Sequence, residues 1–441
     1  MRVHFLASTL LIACSQEDGP AAPPESPGPG PGGACLGVDA LPSGTVVPTD
    51  ARDVRDLQVG CTSNGVDTLY RHDDRWTFQA ASGPLEELSS VTASKVYAFG
   101  AAPGLIELDL GSSPAILASR LPGAPRVAVN APPLRAVDPD SEWTFDDVCF
   151  DHERIAVLDG IPSSVALSLA PRAEGRGALL VQTCGYVDVV DVSPAGEPAK
   201  RVTILEVERS APRVYLPLRA AFDLDGERVV AAALSIIGRA PQDVAVKVVA
   251  GGTLVREATF SFPDSTRSLA SLRVCGPNAF LVGRREREIR TADPNDTTTS
   301  DVWVAKVDLS SMTLAAEATL DLDRDDVGFV VACDPTTDDV FVAGATARHH
   351  VDTGSWDGGG KAFVARLDRS LHVTARVAFG NDRMATARQL LVGKDNVLVA
   401  GTWDAIPNNH LPPAEDWSRG FYAVLPRALS EPSTAAFTSR P

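Results

Sequence analysis

Phe-Val-Ala-Arg-Leu-Asp (363–368), with Val-Leu-Val-Ala-Gly (397–401) after it, is a phrase that keeps returning along the chain, and its recurrence sets the architecture. Trp-Val-Ala-Lys-Val-Asp (303–308), Val-Ala-Val-Lys-Val-Val (244–249) and Tyr-Val-Asp-Val-Val-Asp (186–191) precede it, and Phe-Tyr-Ala-Val-Leu-Pro (421–426) follows. Their last residues stand at 191, 249, 308, 368 and 426, in steps of 58, 59, 60 and 58. So regular a step, in β-forming residues separated by turn signals, marks one supersecondary unit used repeatedly.

Each unit reads as four strands. In the unit opening at Phe363 they are expected over 363–367, 372–379, 388–392 and 397–401, with Gly-Lys-Asp-Asn (393–396) turning the chain before the last. The two units before it close with Val-Phe-Val-Ala-Gly (340–344) and Ala-Phe-Leu-Val-Gly (279–283). Alternation at every second residue fits strands packed against neighbouring sheets. Four-stranded units of this size predict an all-β fold, a β-propeller, since radial stacking covers both faces of every sheet. Six to eight blades are compatible with the length, and seven is the number adopted. The last strand, 421–425, has no complete unit after it. It is expected to complete a blade begun near the start of the domain and so close the ring. An open sandwich or a solenoid is the competing architecture.

The phrase Ala-Phe-Val-Ala-Arg-Leu-Asp (362–368) with Val-Leu-Val-Ala-Gly-Thr (397–402) resembles the SBBP-type β-propeller repeat of secreted bacterial proteins. The resemblance spans residues 300–426 well and reaches back to 186 less closely. Between 67 and 185 only closing strands recur, Val-Tyr-Ala-Phe-Gly (96–100) and Ile-Ala-Val-Leu-Asp (155–159).

The amino terminus carries a second message. Arg2 and His4 precede the apolar run 5–13, which ends at Cys14. Charged, then apolar, then small is the order of a secretory signal, here residues 1–13, and the run is too short for a permanent membrane span. Leu11-Ile12-Ala13-Cys14 resembles the bacterial lipobox, which implies cleavage before Cys14 and its lipidation. Residues 14–34 are mostly Pro, Gly and small polar residues and offer nothing to bury, so a disordered tether is expected ahead of a propeller domain at 35–441. Several acyl chains on one residue anchor stably where one does not. Ser15 is not the Asp that retains some lipoproteins at the inner membrane, which favours the outer membrane.

The formal charge of −17 over 441 residues repels phosphate backbones and argues against a nucleic-acid partner. Besides Cys14 the cysteines are Cys35, Cys61, Cys149, Cys184, Cys275 and Cys333. An even number in an exported chain suits disulfides, and buried small apolar residues suit the pattern equally. Equivalent positions on adjacent blades are expected to lie too far apart to bond. If one bridge forms, Cys35–Cys61 is the pair nearest in sequence, and it would pin the tether to the first blade. No C-x-x-C spacing supports zinc or redox chemistry.

Three connections read as unusually long blade-to-blade loops: 284–301, 345–360 and 402–419. Long loops on a rigid scaffold are where binding concentrates. The first carries Arg284, Arg285, Arg287 and Arg290. The second carries His349, His350, Asp352, Trp356 and Asp357, and the third Trp403, Asp404, His410, Asp416 and Trp417. Flat aromatic rings beside carboxylates and amides suit glycan or protein surfaces. No chelating spacing joins the histidines, so no metal is expected. Asp321-Leu322-Asp323-Arg324-Asp325-Asp326 lacks the Gly and distal Glu of an EF-hand and reads as a solvated turn. Asp225-Gly226 reads as a hairpin tip.

No nucleophile elbow, zincin motif or phosphate-binding loop is present, so no catalytic residue and no cofactor are expected. These features predict a monomeric, lipid-anchored envelope protein that binds a protein or glycan. A carbohydrate-active enzyme would need carboxylates such as Asp352, Asp357, Asp404 or Asp416, with His410, converging over the axis. A structural surface protein without a ligand is the third reading.

Overall fold

The computed structural model describes residues 35–429 apart from several connections, the longest being 131–163, 207–217, 288–298 and 405–418. Cys14, residues 1–34 and the strand expected at 155–159 lie outside the described residues.

The described strands form four-stranded antiparallel meanders, seven among the described residues, and the protein is a β-propeller. In chain order the meanders span 54–90 (blade 1), 95–130 (blade 2), 164–206 (blade 3), 218–262 (blade 4), 267–320 (blade 5) and 325–379 (blade 6). Blade 7 joins the two ends of the chain. Its first three strands are Met384–Val392, Asn396–Asp404 and Arg419–Pro426, and its outermost is Val46–Arg52, with Val46 opposite Ala423. The expected closure therefore occurs with another division: the carboxyl end supplies three strands and the amino end one.

Packing explains the apolar runs. In Val229–Leu234 of blade 4, Val229, Ala231 and Ala233 enter the cluster shared with blade 3, together with Leu180 and Ile204. Val230, Ala232 and Leu234 enter the cluster shared with blade 5, together with Leu272 and Trp303. Alternate side chains go to opposite faces and both faces are covered, so the run is apolar throughout. Similar clusters join blades 5 and 6 through Val282 and Phe363, 6 and 7 through Phe341 and Phe421, and 7 and 1 through Leu398 and Val59. Leu69 and Tyr97 join blades 1 and 2, and Leu108 and Leu179 join 2 and 3, which completes the circuit.

The repeat period is as the sequence indicates, but its phase differs by two strands. Residues 363–367 belong to the third strand of blade 6, Lys361–Leu367, not to a first strand. Val-Ala-Gly (342–344 and 399–401) lies on second strands, and 96–99 lies on an innermost strand, Lys95–Phe99, rather than a closing one.

Innermost strands of blades 5, 6 and 7 each contain a β-bulge, at Ala270, Phe329 and Arg388, which are 59 residues apart. Facing these bulges across the ladder are Gly283, Gly344 and Gly401. A Cβ there would collide with the carbonyl oxygens of Ser268, Val327 and Thr386 respectively. The Gly that ends each Val-Ala-Gly phrase is thus required by the bulge opposite it.

Two disulfides are described. Cys35–Cys61 forms with Cα atoms 5.8 Å apart, as sequence proximity suggested. Cys275–Cys333 overturns the expectation for adjacent blades: the Cα atoms are 6.3 Å apart. Both residues sit on innermost strands, where neighbouring blades converge on the axis. Cys149 and Cys184 lie outside the described residues.

Cys35 also begins a clasp at the seam. Its N–H donates to Val392 O of blade 7 at 2.8 Å. The short helix Leu36–Asp39 follows, and the Asp39 carboxylate accepts the N–H groups of Lys394, Asp395 and Asn396 at 2.7–2.9 Å.

Candidate binding face

Strands of a meander alternate in direction. First-to-second and third-to-fourth turns therefore share one face of the ring, here the turn face. Second-to-third connections and the crossings between blades share the other, the loop face. Second-to-third connections in blades 1 to 4 are short: 73–74, 110–114, 184–185 and 236–241. In blades 5, 6 and 7 they lengthen to 288–298, 348–360 and 405–418. These are the long segments noted in the sequence, but they arise within blades rather than between them. Three consecutive blades thus raise their long connections on the same face.

Several expected loop residues belong to strands. Arg284, Arg285 and Arg287 lie on Asn278–Arg287. Arg284 pairs with Glu286, and Arg285 donates to Thr319 Oγ1 at 3.1 Å, so both are absorbed into blade 5. Trp403 and Asp404 end the strand Asn396–Asp404, opposite Ala385 and Met384, so they are stems and not tips. The blade 6 connection contains a small hairpin with His349 opposite Trp356 and His350 opposite Ser355. Arg290, Asp352, Asp357, His410, Asp416 and Trp417 lie outside the described residues.

Beneath these connections the face rests on buried polar groups that sequence reasoning missed. Arg267, only 2% exposed, donates to Glu317 Oε1 at 2.7 Å and stacks 4.1 Å from the Phe262 ring centroid. Trp303 Nε1 donates to the same carboxylate oxygen at 2.9 Å. Oxygens of Asp301, Asp321 and Asp326 gather within 4.8 Å of one another. Asp326 is fully buried and accepts Leu322 N–H at 2.6 Å, which corrects the reading of 321–326 as a wholly solvated turn. Asp225-Gly226 does form a hairpin tip, with Gly226 at φ +59°.

The innermost strands border the axis. Arg388 is exposed and its guanidinium carbon lies 3.9 Å from the Phe329 ring centroid on the adjacent blade. Nearer the turn face, Arg273 stands 3.4 Å from Asp223, which also accepts Val274 N–H at 2.8 Å. Burial nevertheless pushes the Asp223 carboxyl above the usual range. Extending the repeat alignment to 270, 329 and 388 was the signal available for the axial residues. No residue type announces a buried carboxylate such as Asp326.

Fold and face together define a β-propeller scaffold. No protein-family model matches the chain, and no curated protein matches it. Among solved structures it is similar to Hsv2 of Kluyveromyces lactis, at 8% identity over 86% of this chain and 98% of that one, TM-score 0.37. It is also similar to a subtype N11 neuraminidase-like protein of A/flat-faced bat/Peru/033/2010 (H18N11), at 9% identity over 89% of this chain and 96% of that one, TM-score 0.39. Likeness at this level carries no part of the argument, and the fold rests on strand order and packing.

Proposed function

We propose that the protein is a lipid-anchored envelope protein whose loop face binds a protein or glycan partner without turning it over. The observation that carries this reading is the lengthening of the second-to-third connections in blades 5, 6 and 7 alone, on one face of a rigid ring. Export is supported by the apolar run ending at Cys14 and by two disulfides, which persist in oxidising compartments. Anchoring is read from Leu11-Ile12-Ala13-Cys14.

The test pairs the full chain with a Trp356→Ala, Trp403→Ala, Trp417→Ala variant on a glycan and envelope-protein array. Binding that vanishes in the variant at unchanged unfolding temperature supports the loop face. Equal binding by both, or by neither, refutes it. Incorporation of radiolabelled palmitate that disappears with Cys14→Ala checks the anchor separately.

A further inference from the structure

The chain enters the propeller on the turn face and near the axis. Cys35 bonds to Cys61 on the innermost strand Val54–Thr62, and its N–H meets Val392 O, at the end of the innermost strand of blade 7. Twenty residues, 15–34, separate Cys35 from Cys14, and they span at most about 70 Å when fully extended. A body the size of residues 35–429 has a radius of gyration of about 21 Å and a half-girth of about 85 Å. A lipid on Cys14 therefore cannot reach round to the loop face. Among the described residues three large apolar side chains are exposed: Leu254 at 37%, Val255 at 53% and Val373 at 45%. All three lie at the turn-face ends of outermost strands, Thr253–Phe262 in blade 4 and Val373–Phe379 in blade 6. Both places are bulged: Val255 is the extra residue in blade 4, and Thr374, beside Val373, is the extra one in blade 6. A bulge blunts a sheet edge against a further strand, which disfavours a protein partner that docks by strand addition. Blade 4 stands opposite the seam of blades 7 and 1, with blade 6 off that line, so the tether root and the two apolar points form a triangle across the face. Exposed turn tips carry both signs, Arg369 and Lys394 with Glu227 and Asp395, and select no anionic surface.

We propose that the turn face is a membrane-contact surface. Held by the lipid on Cys14, the propeller lies with this face on a zwitterionic lipid bilayer, and Leu254, Val255 and Val373 enter its headgroup layer. A short tether keeps the face at about millimolar effective concentration, so contacts too weak to hold a free protein are populated in the anchored one. The loop face then points away from the membrane, where a partner can reach it. This inference rests on the lipid anchor proposed above and goes beyond it by giving the opposite face of the ring a role.

Hydroxyl-radical footprinting would compare the full lipidated chain on phosphatidylcholine vesicles with its Cys14→Ala form beside the same vesicles. Oxidation of Leu254, Val255 and Val373 is expected to fall severalfold in the anchored chain alone. Met312 and His372, on the turn-face turns of blades 5 and 6, should fall with them, while peptides from 348–360 on the loop face stay unchanged. A Leu254→Ser, Val255→Ser, Val373→Ser variant alters only exposed side chains and should keep its unfolding temperature and its anchor. In it Met312 and His372 should regain the oxidation of the unanchored chain. Equal oxidation in anchored and unanchored forms, protection of the loop face instead, or protection of Met312 and His372 that persists in the triple Ser variant would each overturn the proposal. A chain that floats with vesicles but leaves its turn face unprotected loses this contact and keeps the anchor. A chain bearing Cys14 that fails to float rejects the anchor and this contact together.

Discussion

At Gly401 one absent methyl group lets blade 7 close over its bulge. The Cβ of an Ala would collide with Thr386 O, which the ladder holds in place. Gly401→Ala is expected to cost about 3 kcal/mol, the upper part of the overpacking range, read as a shift in the urea midpoint. A change within error would show that the inner strand can yield. Asp223 makes a second prediction at this scale. Its folded carboxyl is raised by burial, as are those of Asp188 and Asp191. A carboxyl raised in the folded state binds more protons there than when unfolded. The contribution of these groups to stability is therefore greatest below the unfolded value, about 4, and falls as pH rises from there through the folded value. Asp223→Asn should flatten that decline, measured as urea midpoints at a series of pH values from about 4 to 7. An unaltered slope would mean that Arg273 and Val274 fully compensate the burial.

Elements, rather than residues, decide what could be read in advance. The 58- to 60-residue step was legible because third strands such as 303–308 and 363–368 repeat nearly the same phrase. Phase was not, since a repeat fixes spacing but not which strand lies nearest the axis. That is settled by contacts such as Val229 to blade 3 and Val230 to blade 5, which involve residues remote in sequence. The same limit hid the Cys275–Cys333 bond: average blade separation forbids it, and only the convergence of inner strands allows it. In the candidate face, the loops were visible through length and composition, while Trp403 and Asp404 proved to be strand ends because the backbone of Asn396–Asp404 pairs on both sides. The clasp element is directly testable. Asp39→Ala removes the acceptor for three backbone N–H groups and should cost about 2 kcal/mol, with faster hydrogen exchange at Lys394, Asp395 and Asn396. Exchange that stays slow at those three amides would show that the turn holds itself.

At the scale of the molecule, the two disulfides among the described residues sit on the turn face and tie neighbouring blades or the seam. Breaking Cys275–Cys333, which spans 58 residues, removes a constraint worth about 4 kcal/mol in the chain-entropy account. A Cys275→Ser, Cys333→Ser variant should melt well below the native chain, and adding reductant should shift it less than it shifts the native chain. Equal shifts would show that the redox sensitivity does not come from Cys275–Cys333. The clasp around Cys35 has a mechanical consequence. Tension applied to the chain ahead of Cys35 passes through the bond to Cys61 into blade 1 and through Asp39 into blade 7. It reaches both sides of the seam before it reaches the strand Val46–Arg52, which closes the ring. A pull on the amino terminus is thus borne on the turn face, and the closing strand is shielded from being peeled away while the opposite face carries no load.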